Sequence, residues 1–216
     1  MKAMAFNGSP RRNDRIGNTI QLLKSALEGA ASEGAETELI NLYDYDYHGC
    51  ISCFSCKRLE HIDCKCAVKD EITDVLERAK EADVLIFGSP IYLGNITGAM
   101  QSFLERLMYP LTSYEKGKES NFTRKINHGF IFDMNGPKVY SDFSGYSYLF
   151  KNAKRALRRL NGVYEELIVY DTHQFDDYSK YQSSIFSEES KNNRLNTEFP
   201  KDLKKAYELG KRLMPK

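Results

Sequence analysis

Val84-Leu85-Ile86-Phe87-Gly88-Ser89-Pro90-Ile91-Tyr92-Leu93-Gly94-Asn95 decides the fold. Its first four residues are apolar without interruption, the pattern of a strand buried on both faces, as in a parallel sheet covered by helices. Gly88-Ser89-Pro90 ends the run. Ile96, Met100, Phe103 and Leu107 then recur at helical spacing, so the stretch reads strand, long loop, helix. The loop (Ser89 to Gly98) joins a rigid proline, an aromatic ring, aliphatic side chains and glycines that allow close backbone approach. That mixture gives a flat apolar wall with backbone donors, which suits a planar ring with a polar edge.

The same unit recurs on both sides of this stretch. Ala3 to Phe6 is an apolar run closed by Asn7-Gly8-Ser9-Pro10, and Ile16, Ile20, Leu23, Leu27 and Ala30 follow at helical spacing up to Gly34. Thr37 to Leu42 reads as a second strand. The spacing of Ile72, Val75, Leu76 and Ala79 predicts a helix capped by Asp70. Gly129 to Phe132 gives a fourth strand and Glu166 to Tyr170 a fifth. Between them lies a helix with Lys151, Lys154, Arg155, Arg158 and Arg159 on its solvated side and Leu149, Ala153, Ala156, Leu157 and Leu160 on the other. Leu203, Tyr207, Gly210 and Leu213 mark the last helix. Five strands alternating with five helices imply an α/β fold with helices on both faces of a parallel sheet.

At 216 residues the chain is expected to form one domain, 1–216. A net charge of +1 and the absence of a membrane-length apolar stretch argue against nucleic-acid or membrane binding. No apolar leader opens the chain, so the expected location is cytoplasmic. Two polar connections are long, Tyr109 to Asn127 and Asp171 to Phe199. Tyr178, Tyr181, Ile185 and Phe186 make the second a candidate flap or subunit contact. The four histidines, His48, His61, His128 and His173, show no motif spacing and read as ordinary surface or loop residues.

In an open parallel sheet, ligands bind beyond the carboxyl ends of the strands where the order reverses; for order 2-1-3-4-5 this lies between the first and third strands. The loop after the first strand, Ser9-Pro10-Arg11-Arg12-Asn13-Asp14-Arg15-Ile16-Gly17-Asn18-Thr19, offers hydroxyls, a guanidinium and a helix start to a phosphate. It is neither a Walker loop nor a Gly-x-Gly-x-x-Gly fingerprint. A helix-capping polar turn is the competing reading.

Gly8-Ser9-Pro10-Arg11 with Gly17-Asn18-Thr19, then Gly88-Ser89-Pro90-Ile91-Tyr92 and Met100 to Arg106, resembles the NADPH-dependent FMN reductase family over roughly the first 110 residues. The resemblance implies a flavodoxin-like three-layer sandwich. It also implies that Ser9, Arg11, Asn18 and Thr19 hold the FMN phosphate, while Pro90, Ile91, Tyr92, Leu93, Gly94 and Asn95 lie along the flavin. Arg11 and Gly17-Asn18-Thr19 stand further apart than usual in the family, which leaves Arg12, Asn13 and Arg15 without an implied role. Asp133-Met134-Asn135-Gly136 lies where the family also touches flavin.

All five cysteines fall in the segment from Tyr43 to Lys69. Cys50-x2-Cys53-x2-Cys56 is compact enough to wrap a [4Fe–4S] cluster with a fourth thiolate from further along. Cys64 would close the tighter loop. Iron–sulfur flavoproteins related to the family carry a Val/Ile-Lys-Asp-Asp/Glu stretch after the last cysteine, and Cys66-Ala67-Val68-Lys69-Asp70-Glu71 resembles it, which implies Cys66. Unligated thiols, zinc and a disulfide such as Cys53–Cys56 are the competing readings.

The expected activity is that of an FMN-dependent NAD(P)H oxidoreductase passing electrons to a small acceptor, with no side chain assigned as general acid or base. The alternative is an iron–sulfur flavoprotein carrying electrons between proteins, with a ferredoxin-type partner. Resemblance to the family implies a homodimer or larger assembly.

Overall fold

The computed structural model describes residues 1–12, 17–61 and 63–216; the expected place of Ile16 on the first helix lies outside them. Among the described residues, β1 (Lys2–Asn7), β2 (Glu36–Asn41), β3 (Val84–Pro90), β4 (Ile126–Asp133) and β5 (Asn161–Val169) form a parallel sheet in the order β2-β1-β3-β4-β5. The helices are α1 (Asn18–Ser32), α2 (Thr73–Glu81), α3 (Gly98–Leu111), α4 (Lys138–Phe143), α5 (Tyr146–Leu157), α6 (Glu188–Thr197) and α7 (Phe199–Leu213).

Strand alternation sorts the core into two layers. Ala3, Ala5, Val84 and Ile86 face Leu22, Leu23 and Ala26 of α1 and Ala206, Leu209 and Leu213 of α7. The opposite face carries Met4, Phe6, Leu85, Phe87, Phe130 and Phe132 against α2, α3 and α5. On the first side the small residues let α1 and α7 touch backbone to backbone. A Cβ on Gly29 would lie 1.9 Å from the Tyr207 carbonyl oxygen, and one on Gly210 would lie 1.8 Å from that of Ala26.

Four details differ from the sequence reading. β5 begins at Asn161 because Asn161 to Glu165 pair with β4 at the sheet edge, where polar residues need no burial. α2 starts at Thr73, and among the described residues no side chain caps its backbone; the Asp70 carboxylate accepts from Arg106 and from the Thr73 hydroxyl. His128 is buried on β4 against the Tyr164 ring, not on the surface. The segment Asp171 to Phe199 is not plain loop, since it contains α6. Lys191 of α6, 2% exposed, bonds the Asn135 carbonyl at 2.5 Å and pairs with Asp171, tying the segment to the end of β4.

Candidate flavin and thiol sites

The carboxyl ends of β1, β3 and β4 are sewn together by backbone. The Gly8 N–H donates to the Gly88 carbonyl (2.8 Å) and the Ile91 N–H to the Asp133 carbonyl (2.9 Å). Thr97 caps α3 and donates its hydroxyl to the Gly8 carbonyl at 2.7 Å. Gly8 is required here: a Cβ would meet Met100 Cβ at 2.9 Å and the Gly88 oxygen at 3.0 Å. Buried Asn7 shapes the turn by accepting from the Ser9 N–H at 3.0 Å.

These strand ends enclose a cleft of about 120 Å³, and Ser9, Arg11, Asn18, Thr19, Pro90, Ile91 and Tyr92 all line it. Among the described residues, no side chain caps the first turn of α1, which opens toward this cleft through Asn18 and Thr19. An uncapped helix start concentrates N–H dipoles, the arrangement that holds anions. Asp133, Met134 and Asn135 close the far wall, and Thr172, His173 and Gln174 cover it. Arg11 donates to the Gln174 carbonyl at 2.7 Å and Asn18 to that of His173 at 2.8 Å. Arg12 points elsewhere, pairing with Asp44 at 2.5 Å and the Tyr43 carbonyl at 2.6 Å. Asn13 and Arg15 lie outside the described residues.

Two groups that the residue pattern did not single out stand in this cleft. Asp133 is 4% exposed and accepts from the Thr19 hydroxyl at 2.6 Å. Burial pushes its carboxyl up to about 6, against the opposing pull of the Thr19 bond and the Arg11 charge. The Asn135 side-chain oxygen is buried and has no hydrogen-bond partner among the described residues, an acceptor that a ligand donor would satisfy. Cationic and amide donors, a helix start and an orphan acceptor together fit a phosphorylated ligand that also carries hydroxyl donors, as FMN does.

Leu93, Gly94 and Asn95 lie outside the cleft. Tyr92 and Asn95 exchange backbone bonds (2.8 and 3.0 Å) around a turn in which Leu93 and Gly94 have φ of +49° and +78°. Such a turn suits glycine, and Leu93 holds it while fully exposed. Gly94 and Asn95 line a groove of about 560 Å³ between α3 and α5, walled by Leu104, Met108, Tyr146 and Leu149.

The cysteines divide. Cys50, Cys53, Cys56 and Cys66 line one pocket beside Arg106 of α3. Burial raises the Cys56 thiol, and the neighbouring Cys66, Cys50 and Cys53 add to the rise. Cys64 is buried apart from them, its carbonyl held by Lys80 at 2.8 Å. All five are free thiols. Ser52 and Phe54, both at φ +56°, bend the loop that carries the first three. The pocket is about 20 Å³, room for one water-sized body. Among the described residues, no three His, Cys, Asp or Glu side chains stand as a ready metal-ligating group. The donor set therefore fits a sulfur-ligated centre in kind and in shared location. Exposed Ile51 and Phe54 form part of the wall of this pocket.

A family model described as NADPH-dependent FMN reductase matches residues 1–127. An iron–sulfur flavoprotein from Methanocaldococcus jannaschii is 39% identical over 106 residues, covering 49% of this chain and 51% of its own length. One from Archaeoglobus fulgidus is 38% identical, covering 49% and 48%. The chain thus spans about half the length of the curated relatives it matches. Among solved structures, an NAD(P)H:quinone oxidoreductase from Methanothermobacter marburgensis superposes with TM-score 0.68 at 14% identity, over 99% of this chain and 96% of that one. An FMN-dependent NADH-azoreductase from Bacillus anthracis, solved with FMN, gives 0.67 at 16% identity, over 99% of both. At these identities the likeness is one of fold.

Proposed function

The chain belongs to the NADPH-dependent FMN reductase family, and from that premise we propose that it is an FMN-dependent NAD(P)H oxidoreductase delivering electrons to a small acceptor. The observation that carries this reading is the convergence of Ser9, Arg11, Asn18 and Thr19 with Pro90, Ile91 and Tyr92 on one cleft at the reversal point of the sheet.

In this reading Arg11 and Asn18 release the Gln174 and His173 carbonyls and turn to the phosphate, with the start of α1 adding its dipole. Ser9 and Thr19 supply hydroxyls. The Asn135 side-chain oxygen accepts from a ribityl hydroxyl and is no longer left unpaired. The cleft is too small for a whole flavin, so the ring lies outward along Ile91 and the half-exposed Tyr92, where a nicotinamide can reach it. Bound FMN supplies the hydride and electron chemistry; the protein contributes binding, orientation and electrostatics. Asp133 holds a proton in the cleft below about pH 6 and a charge above it. The groove between α3 and α5 offers a surface to a second copy, in keeping with the homodimer or larger assembly the family resemblance implies.

Protein purified without oxygen should be yellow, bind one FMN per chain and consume NAD(P)H with a quinone or free-flavin acceptor. Colourless protein that binds no added FMN would end the proposal.

A second reading rests on a separate observation, the four thiols that share one pocket. In it, Cys50, Cys53, Cys56 and Cys66 hold a [4Fe–4S] cluster, and the chain carries electrons between protein partners, including a ferredoxin-type donor. Reduction by such a donor, without NAD(P)H turnover, would favour it.

A further inference from the structure

Arg106 is a charged side chain in the core, 1% exposed, and the strand-end cleft does not use it. A guanidinium has five N–H donors, and the structure gives each one a partner. The two terminal nitrogens grip the Asp70 carboxylate end-on, at 2.5 and 3.1 Å. Their remaining hydrogens go to the His48 carbonyl at 3.2 Å and the Val68 carbonyl at 3.0 Å. The end-on fork fixes the plane of the head and leaves Nε–H as a side donor. It points at Cys66 Sγ, 3.2 Å away.

One side chain of a regular helix thus holds the chain just before Cys50 and the chain just after Cys66, and donates to the Cys66 sulfur as well. Cys64 has no comparable place. It is buried beside Lys80 and Asp63, has φ of +60°, and lines a different surface depression with Phe122 and Arg124. To join the other three thiols it would have to leave that packing and break the Lys80 bond.

We propose that Arg106 is a positioning residue that makes Cys66, not Cys64, the fourth sulfur ligand of an iron–sulfur cluster, and that its Nε–H···S bond raises the reduction potential of that cluster. The inference rests on the second reading above. Hydrogen bonds to ligating sulfurs are among the factors that set such potentials, because they stabilise the more negative reduced state. Asp70 balances the guanidinium whether or not iron is bound, so the buried charge is never left unpaired.

The test uses the full chain purified without oxygen, as wild type, Cys64→Ser, Cys66→Ser and Arg106→Lys. Wild type and Cys64→Ser should each hold about four irons and four sulfides per chain, and Cys66→Ser should lose them. Arg106→Lys keeps the charge but not the fixed fork, so it should show a lower midpoint potential in an EPR-monitored redox titration. Pulsed EPR of reduced wild type grown on 15N-arginine should show a nitrogen coupling that Arg106→Lys lacks. The wild-type coupling is measurable even if Arg106→Lys does not fold. Iron retained by Cys66→Ser but lost by Cys64→Ser would overturn the ligand choice. Iron-loaded wild type with no arginine coupling, or Arg106→Lys with an unchanged potential, would overturn the role of Arg106. Wild type that binds FMN but no iron would bring down the cluster reading and this inference with it.

Discussion

The strand-end cleft and the cysteine pocket belong to the same domain but are held by different means. The cleft is made by backbone: Gly8 to Gly88, Ile91 to Asp133 and the Thr97 hydroxyl to Gly8 lock three strand ends together. The cysteine pocket has no strand in it, and its two ends meet on one buried guanidinium. Regular structure satisfies its own polar groups and keeps its side chains for ligands. An irregular segment must borrow a partner from elsewhere, and here it borrows Arg106 from α3. Single side-chain changes should therefore cost stability at the pocket and affinity at the cleft.

The largest expected effect is at the pocket. Asp70→Asn leaves Arg106 buried without its carboxylate, and loss of one partner of such a pair costs about 3–5 kcal/mol. Urea denaturation monitored by circular dichroism measures it. A loss below about 1 kcal/mol would break the comparison, since the pocket would then not depend on this pair.

Asp133 is the exception within the cleft. The gap between the ordinary 3.8 and about 6 corresponds to about 3 kcal/mol. Because folding raises this carboxyl, its contribution favours the fold most below about pH 4. That contribution is lost as pH rises from about 4 through about 6. Asp133→Asn should flatten the pH dependence of stability in that window and stabilise the protein above it by up to about 3 kcal/mol. An anionic phosphate nearby opposes the Asp133 charge, so FMN should bind more weakly as pH climbs through 6 in wild type and not in the variant. Thermal melts and FMN titrations between pH 4 and 8 check both.

Arg11→Ala should show the division most directly. Stability should change by less than about 0.5 kcal/mol, as for other sites away from the core. FMN affinity should fall roughly 10- to 100-fold, the worth of about 1.5–3 kcal/mol for a charged hydrogen bond. Isothermal titration beside a melt separates the two quantities. The smallest effect is a gain: Leu93→Gly should stabilise the chain by about 1 kcal/mol, because leucine is strained at φ +49° and packs against nothing. Equilibrium unfolding would read it.

Much of the cleft was legible because it depends on local chemistry. Val84 to Phe87 announced a strand buried on both faces, and all four are fully buried. Ser9, Arg11, Asn18 and Thr19 are hydroxyl, cationic and amide groups leading into a helix start, and they do line one cleft with Pro90, Ile91 and Tyr92. Asp133 and Asn135 were indicated only by the family resemblance and not by their residue types, since a polar residue after a strand looks like any turn. Asp70 misled for the same reason: it stands where a cap would stand, yet its carboxylate pairs with a residue thirty-six positions on. Arg106 sits among Phe103, Leu104 and Leu107 with nothing in the pattern to mark it as buried.

By itself, then, the sequence determined the alternation of strands and helices that implies a parallel sheet, because this follows from periodicity and residue type over a few neighbours. The strand order that sets the reversal point was implied by the family resemblance and is seen in the tertiary structure. The division of the five thiols was decided only by the tertiary structure. Cys64 and Cys66 are two residues apart and chemically identical. What separates them is that α3 carries Arg106 to one, while Lys80 and the core hold the other.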